Sequence, residues 1–201
     1  FYSPKHTNLG EARNLAFEKS NGEWSCFLDC DDYWAINKLE LQINALKKYS
    51  GSKVCSVVYG KTIIKIENNL SNTFSSKILK DSKSIIRTGN IYYKMIFKNI
   101  IPLSSAIFSS KIFKKLGGVN PIYSFSEDYD LFLKLSKNHH VIGIDEPIAF
   151  YRVHENNLTH NKIHVGYLES IKILKSHMKH MPLAIFSIFI NLCKLIISLT
   201  L

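Results

Sequence analysis

Arginine is scarce in this sequence: Arg13, Arg87 and Arg152 are the only three in 201 residues, so lysine carries the positive charge. Lys+Arg number 26 against 16 Asp+Glu, a formal net charge of +10. The lysines are scattered, and no arginine-rich run or basic motif interleaved with aromatics occurs, which argues against a nucleic-acid-binding domain. Such a balance suits an anionic membrane surface or a small anionic substrate. Cysteine is sparse too. Cys26, Cys30, Cys55 and Cys193 are too few and too unevenly spaced for a disulfide scaffold, which points to a reducing compartment. The closest pair, Cys26 and Cys30, has no second pair after it, which excludes a zinc knuckle. No internal repeat occurs. No basic stretch with an apolar core follows Phe1, so no signal peptide is expected at this start. What the sequence does have is apolar mass, 46% hydrophobic against 21% charged, enough for the core of one domain.

Asn8 with Glu11 three residues on predicts a capping box at the start of a helix that carries Ala12, Leu15 and Ala16 on one face and ends at Asn21-Gly22. Trp24 to Leu28 reads as a buried strand. Leu39, Ile43 and Leu46 mark the apolar face of a second helix that ends in Lys47-Lys48. Val54 to Tyr59 and Lys61 to Glu67 read as two strands, and the Ser, Asn and Lys-rich stretch from Asn68 to Ser84 as a surface loop. Further on, short helices are predicted over Tyr92 to Phe97 and Ser110 to Leu116, with a strand at Ala106 to Phe108 between them. A longer helix covers Glu127 to Ser136, and two short strands, Val141 to Ile144 and Ile148 to Tyr151, are separated by a proline turn. This alternation indicates an α/β domain with a largely parallel sheet.

Asp29, Asp31 and Asp32 crowd three carboxylates into four positions at the end of an apolar run. Their mutual repulsion calls for a cation or for hydrogen bonds, and Mg²⁺ or Mn²⁺ suits hard oxygen ligands while leaving room for substrate phosphates. An Asp-rich turn capping the next helix is the alternative. Glu127 and Asp128 open a helix, a position that acidic residues favour on their own account.

The order of these elements sharpens the choice. Asn8-x-Gly10-x-x-Arg13-Asn14, an apolar run into Leu28-Asp29-Cys30-Asp31-Asp32-x-Trp34, and Lys38-Leu39-Glu40-x-Gln42 are followed by Gly117-Gly118-Val119-Asn120, Ser126-Glu127-Asp128-Tyr129-Asp130-Leu131 and Tyr151-Arg152-Val153-His154, with Asn157 shortly after. Over about residues 5 to 160 this series resembles the family-two glycosyltransferases, inverting sugar-nucleotide enzymes with the A-type, Rossmann-like fold. The segment from Gly10 to Arg13 is two residues shorter than the family pattern, and Ile36 stands where many members have proline. The resemblance implies that Asp31 is a metal ligand for Mg²⁺ or Mn²⁺, and that Asp29 and Asp32 hold the sugar nucleotide or the metal shell. It implies Asp128 as catalytic base, with Glu127 beside it as a substrate-binding residue. It leaves His154 between metal or diphosphate contact and a strand-end histidine satisfied by backbone. Arg13 and Arg152 stand between phosphate contact and structural pairing.

Two features lie at the ends. Leu183 to Leu201 is nearly all apolar, about 28 Å long as a helix, with Ser187, Asn191, Lys194 and Ser198 along one stripe. That pattern fits a helix in a membrane interface, a helix packed on protein, or a span, and Lys172, Lys175, His177, Lys179 and His180 before it would face anionic headgroups. The strand-helix-strand segment with which family members usually begin is missing before Phe1. The expectation is therefore a fold incomplete at the N-terminus, with a catalytic domain over 1–160, a helical tail over 161–201, and weak donor binding by the chain as written. The function expected is transfer of a sugar from a nucleoside-diphosphate donor to a hydroxyl of a surface polysaccharide or glycolipid, in the cytoplasm at the inner face of the cell membrane, without nucleic acid. The rival is a non-catalytic membrane-associated module that binds glycan or lipid.

Overall fold

A computed structural model describes residues 7–66, 85–154, 163–180 and 182–200. The loop expected over Asn68 to Ser84 and the Asn157 position lie outside them.

Helix α1 (Leu9–Glu18) starts as its sequence dictates. Asn8 Oδ1 accepts the Glu11 N–H at 2.8 Å, and Glu11 Oε2 accepts the Asn8 N–H at 3.4 Å. Its packed positions differ from those expected: Gly10 and Arg13 are buried, while Ala12 and Ala16 are exposed along a cleft. The reason is the partner that α1 meets. The Asn14 side chain exchanges two hydrogen bonds with the Val119 backbone, both 2.8 Å. Asn8 Nδ2 donates to the Pro121 carbonyl at 3.1 Å, and a Cβ on Gly10 would sit 3.0 Å from the Pro121 Cα. Gly117 and Gly118, at φ +80° and +79°, make the turn that brings this segment back.

The remaining elements are β1 (Trp24–Ser25), β2 (Tyr33–Trp34), α2 (Lys38–Lys48), β3 (Cys55–Ile66), α3 (Tyr92–Met95), a 3-10 turn (Leu103–Ser105), β4 (Ile107–Ser109), α4 (Ser110–Lys115), α5 (Glu127–Lys137), β5 (His140–Val153), α6 (Ile163–His177) and α7 (Ala184–Thr200). The sheet order is β1-β4-β3-β5-β2. Only β3 and β5 run parallel; the three flanking pairings are antiparallel. The sheet is therefore mixed, not largely parallel, because short strands returning along its edges set their own direction. An α/β, Rossmann-like architecture with C-terminal helices remains.

Three strand readings change with it. Trp24 to Leu28 yields only a two-residue edge strand, since its partner β4 is three residues long; Phe27 then packs its ring on Phe108, and Leu28 is exposed. The two strands read between Val54 and Glu67 are one, β3. The two read around Pro147 are also one, β5, because Pro147 falls where the register shifts opposite Lys61 and no ladder bond is lost. Gly60 permits the tight crossing there, as a Cβ would lie 2.6 Å from the Ile148 side chain.

The core forms between the sheet and α5, from Val57, Tyr59, Phe108, Leu131, Phe132, Leu135 and Val141, and it takes in Ile173 and Leu174 of α6. Each such side chain contributes about 1.5–3 kcal/mol on burial. Helix α2 packs unexpectedly: Leu39 and Ile43 are exposed, and the buried residues are Lys38 and Gln42. Gln42 Nε2 donates to the carbonyls of Val58 and Ser105, both 2.9 Å, and Lys38 Nζ donates to Gln42 Oε1 at 2.8 Å from above the Trp34 ring. Burial pushes the Lys38 ammonium down to about 8.

The last helix is also inverted relative to a water-soluble pattern. Ala184 and Ser187 are buried, Asn191 and Ser198 are partly covered, and Ser187 donates to the Ile96 carbonyl at 2.6 Å. Ile185, Phe186, Phe189, Ile196 and Ile197 face outward. His177 does not face outward with the lysines; it is buried, with the Tyr92 hydroxyl 2.8 Å from Nδ1. None of the described helices is long and apolar enough to cross a membrane.

Candidate active site

Beside the parallel strands opens a cleft of about 1050 Å³. Arg13, Asp29, Asp31, Asp32, Glu127, Asp128, Arg152 and His154 all line it. α1 supplies Arg13, the irregular segment after β1 supplies the aspartates, α5 supplies Glu127 and Asp128, and the end of β5 supplies Arg152 with His154 just beyond.

Arg13 ties two of these groups together. It is buried, donates from Nη2 to Asp29 Oδ1 at 2.8 Å, and pairs through Nη1 with Glu127 Oε1. Its guanidinium is thus engaged by carboxylates, the structural half of the alternative the sequence left open. The other Glu127 oxygen, Oε2, is buried without a hydrogen-bond partner among the described residues.

Asp32 is held from two sides. Oδ2 accepts the Ser104 hydroxyl, and Oδ1 accepts the Arg152 backbone N–H at 3.2 Å, so Arg152 acts on the site through its main chain while its side chain is exposed. The Trp34 indole donates to the Ser104 carbonyl at 2.7 Å, locking that serine. Burial is the main cause that raises the Asp32 carboxyl, with Asp29 and Asp31 adding repulsion and the two hydrogen bonds opposing it.

Asp31 and His154 meet, Oδ2 to Nε2 at 3.1 Å. Among the described residues no group of three His, Cys, Asp or Glu side chains is gathered as a metal cage. A hard ion bound mainly by substrate phosphates and water needs only one or two protein ligands, and an aspartate facing a histidine fits that role.

Asp128 lies in the first turn of α5, partly covered. Oδ2 accepts from Asn99 Nδ2 at 2.9 Å and Oδ1 accepts the Tyr129 N–H at 2.7 Å. Desolvation pushes its carboxyl up to about 6; Asp29 adds to this, while Arg13 and the two hydrogen bonds oppose it. A carboxylate that titrates near neutrality is suited to taking a proton. Ser104 and Asn99 were not singled out from the sequence. They lie 72 and 29 residues from the aspartates they hold, inside segments without motif character.

Comparison with known proteins places the chain. Residues 2–190 match the family model described as "Glycosyltransferase like family 2". The Escherichia coli UDP-Glc:alpha-D-GlcNAc-diphosphoundecaprenol beta-1,3-glucosyltransferase WfgD is 30% identical over 158 residues, which cover 75% of this chain and 54% of that protein. The E. coli chondroitin synthase is 26% identical over 174 residues, 87% of this chain and 22% of that one. The chain thus spans about half or less of the length of these relatives. In fold it is similar to the mannosyltransferase PcManGT of Pyrobaculum calidifontis, solved with GDP-Man and Mn²⁺, with a TM-score of 0.58 at 15% identity over 88% of this chain and 45% of that one. S. aureus TarS residues 1–349 give a TM-score of 0.56 at 16% identity over 85% and 45%.

Proposed function

Because the chain belongs to the glycosyltransferase-like family 2, we propose that it forms the catalytic part of an inverting enzyme, moving a hexosyl group from a nucleoside-diphosphate sugar to a hydroxyl of a surface polysaccharide or glycolipid. One observation carries this reading: carboxylates from two separate acidic segments meet in one cleft, joined by Arg13, and one of them titrates near 6.

In this reading Asp128 accepts the proton of the acceptor hydroxyl as that oxygen bonds to the anomeric carbon. The bond from that carbon to the diphosphate breaks on the opposite face, and its electron pair leaves with the diphosphate oxygen. Asn99 and the Tyr129 N–H orient the Asp128 carboxylate. Arg13 keeps Glu127 and Asp29 in register across the cleft, while Ser104 and the Arg152 main chain fix Asp32 at the donor side. Asp31 and His154 are the residues that would hold Mg²⁺ or Mn²⁺, whose chemistry there is neutralisation of the departing diphosphate. The relatives that act on diphosphoundecaprenol-linked acceptors support a lipid-linked acceptor.

The proposed setting is the cytoplasmic face of the cell membrane. Support comes from the exposed apolar residues of α7, Ile185, Phe186, Phe189, Ile196 and Ile197 among them, and from exposed Lys172, Lys175, Lys179 and Lys194 on and beside the same helical pair. Apolar area with basic side chains around it matches an anionic bilayer surface. Flotation with anionic liposomes should recover the protein in the bound fraction and lose most of it when Phe186, Phe189 and Ile197 are changed to serine; equal recovery would remove the membrane role. The enzymatic reading is tested by sugar transfer in the complete gene product, where Asp128→Asn should abolish turnover. Binding of glycan without any donor turnover in the wild type would favour the non-catalytic module instead.

A further inference from the structure

Helix α5 begins without a cap of its own, since Ser126 at its N-cap position makes no side-chain capping hydrogen bond. The segment just before it is held by α6 instead. Glu169 is 6% exposed and turns its carboxylate onto residues 124–126. Its Oε1 accepts the Ser124 N–H at 2.8 Å and the Ser124 hydroxyl at 3.1 Å; its Oε2 accepts the Phe125 N–H at 3.0 Å and the Ser126 N–H at 2.8 Å. Four donors, three of them consecutive backbone amides, converge on one buried carboxylate.

The approach of α6 is built for this contact. One turn before Glu169, Gly166 leaves room for the Phe125 ring, which a Cβ there would meet at 2.5 Å, and the Gly166 carbonyl accepts the Ser126 hydroxyl at 3.3 Å. Ser126 is where α5 starts: its carbonyl accepts the Asp130 N–H at 3.2 Å, the first bond of the helix. A negative charge at that end also suits the helix dipole. The residues next in line are Glu127 and Asp128.

We infer that Glu169 is a positioning residue for Asp128, fixing residues 124–126 and with them the first turn of α5, from which Glu127 and Asp128 enter the cleft. This rests on the reading of Asp128 as base. It makes α6 a working part of the active site. Only a carboxylate serves well here, since an amide would turn hydrogens toward backbone N–H groups that need an acceptor.

The test compares wild type, Glu169→Gln, Glu169→Asp and Gly166→Ala in the complete gene product. Glu169→Gln should lower kcat at least tenfold with the donor KM within twofold. The acid limb of its kcat profile should move to lower pH, because water admitted around Asp128 relieves the desolvation that raises it. Glu169→Asp should recover part of kcat, and Gly166→Ala should lower it without any change of charge. A merely structural anchor would lower the melting temperature and leave kcat per folded molecule and the acid limb unchanged, and that result overturns the inference. Should Glu169→Gln fail to fold, Glu169→Asp and Gly166→Ala decide: kcat per folded molecule should fall in both, and wild-type kcat in both overturns the inference. Asp128→Asn separates the two readings. If it retains turnover, the base assignment and this inference fall together; if it abolishes turnover while the Glu169 variants keep theirs, only this inference falls.

Discussion

Two acidic segments face one cleft and use the same side chain differently. Residues 29–32 carry three carboxylates on irregular backbone after a two-residue edge strand, and the Asp29 and Asp31 side chains keep 41% and 26% of their surface. Residues 127–130 carry three on the first turn of an eleven-residue helix, and Glu127 and Asp130 keep 4% and 3%. The first segment leaves the Asp29 and Asp31 oxygens partly open to solvent. Desolvation at the second raises the cost of charge and pushes the Asp128 carboxyl up to about 6. Backbone setting, more than residue type, sets the two environments apart.

The comparison breaks most visibly at Asp128. Asp128→Asn should cut turnover by about 10²–10⁴-fold, the scale of a lost general base, and should also raise the melting temperature at pH 8. The sign follows from the shift: the carboxyl sits at about 6 in the fold against an ordinary 3.8, so ionising it costs stability as pH rises between those values. At pH values below 3.8 the aspartate is protonated in both states and the gain should vanish. Thermal melts at the two pH values check this, and a variant less stable than wild type at pH 8 would contradict the enclosed-carboxylate picture.

A smaller effect is expected on the open segment. Asp31→Asn should weaken apparent Mn²⁺ affinity by about tenfold or more while turnover recovers as metal is raised, the order of loss found when a metal-site partner is altered. Titration of activity against Mn²⁺ measures this, and an unchanged metal dependence would take Asp31 out of the metal role. The smallest and sharpest is Asn99→Ala. The Asn99 hydrogen bond favours the charged form of Asp128; without it, the acid limb of kcat/KM should move above 6, while activity at pH 8 changes by a few fold at most. A limb that stays in place would show that Asn99 does not tune the base.

What was legible in the sequence was local. The Asn8–Glu11 capping box and the acidic start of α5 depend on neighbours within a few residues, and both formed as read. The Asp29–Asp32 and Tyr151–His154 segments were visible as motifs, and both line the cleft. What depended on a distant partner was not legible. Periodicity chose Leu39 and Ile43 as the inner face of α2, yet the two carbonyls presented by Val58 and Ser105 selected Gln42. Nothing near Ser104, Asn99 or Glu169 marks them, because their meaning lies in residues 29 to 72 positions away. The polar stripe of α7 was visible, but its inward direction is set by the Ile96 carbonyl.

The joints of the site have a consequence for how the chain folds. Arg13 and Glu127 are 114 residues apart, Arg152 and Asp32 are 120, and His154 and Asp31 are 123. Contacts of such separation, like the β3–β5 ladder itself, carry a large loop-closure entropy. Glu127 and Asp128 therefore meet the charges of residues 29–32 only when the chain between them closes, and Arg13 enters with them. A chain that ended before β5 would keep the Arg13 joint but lose the Arg152 N–H on Asp32 and the His154 ring on Asp31.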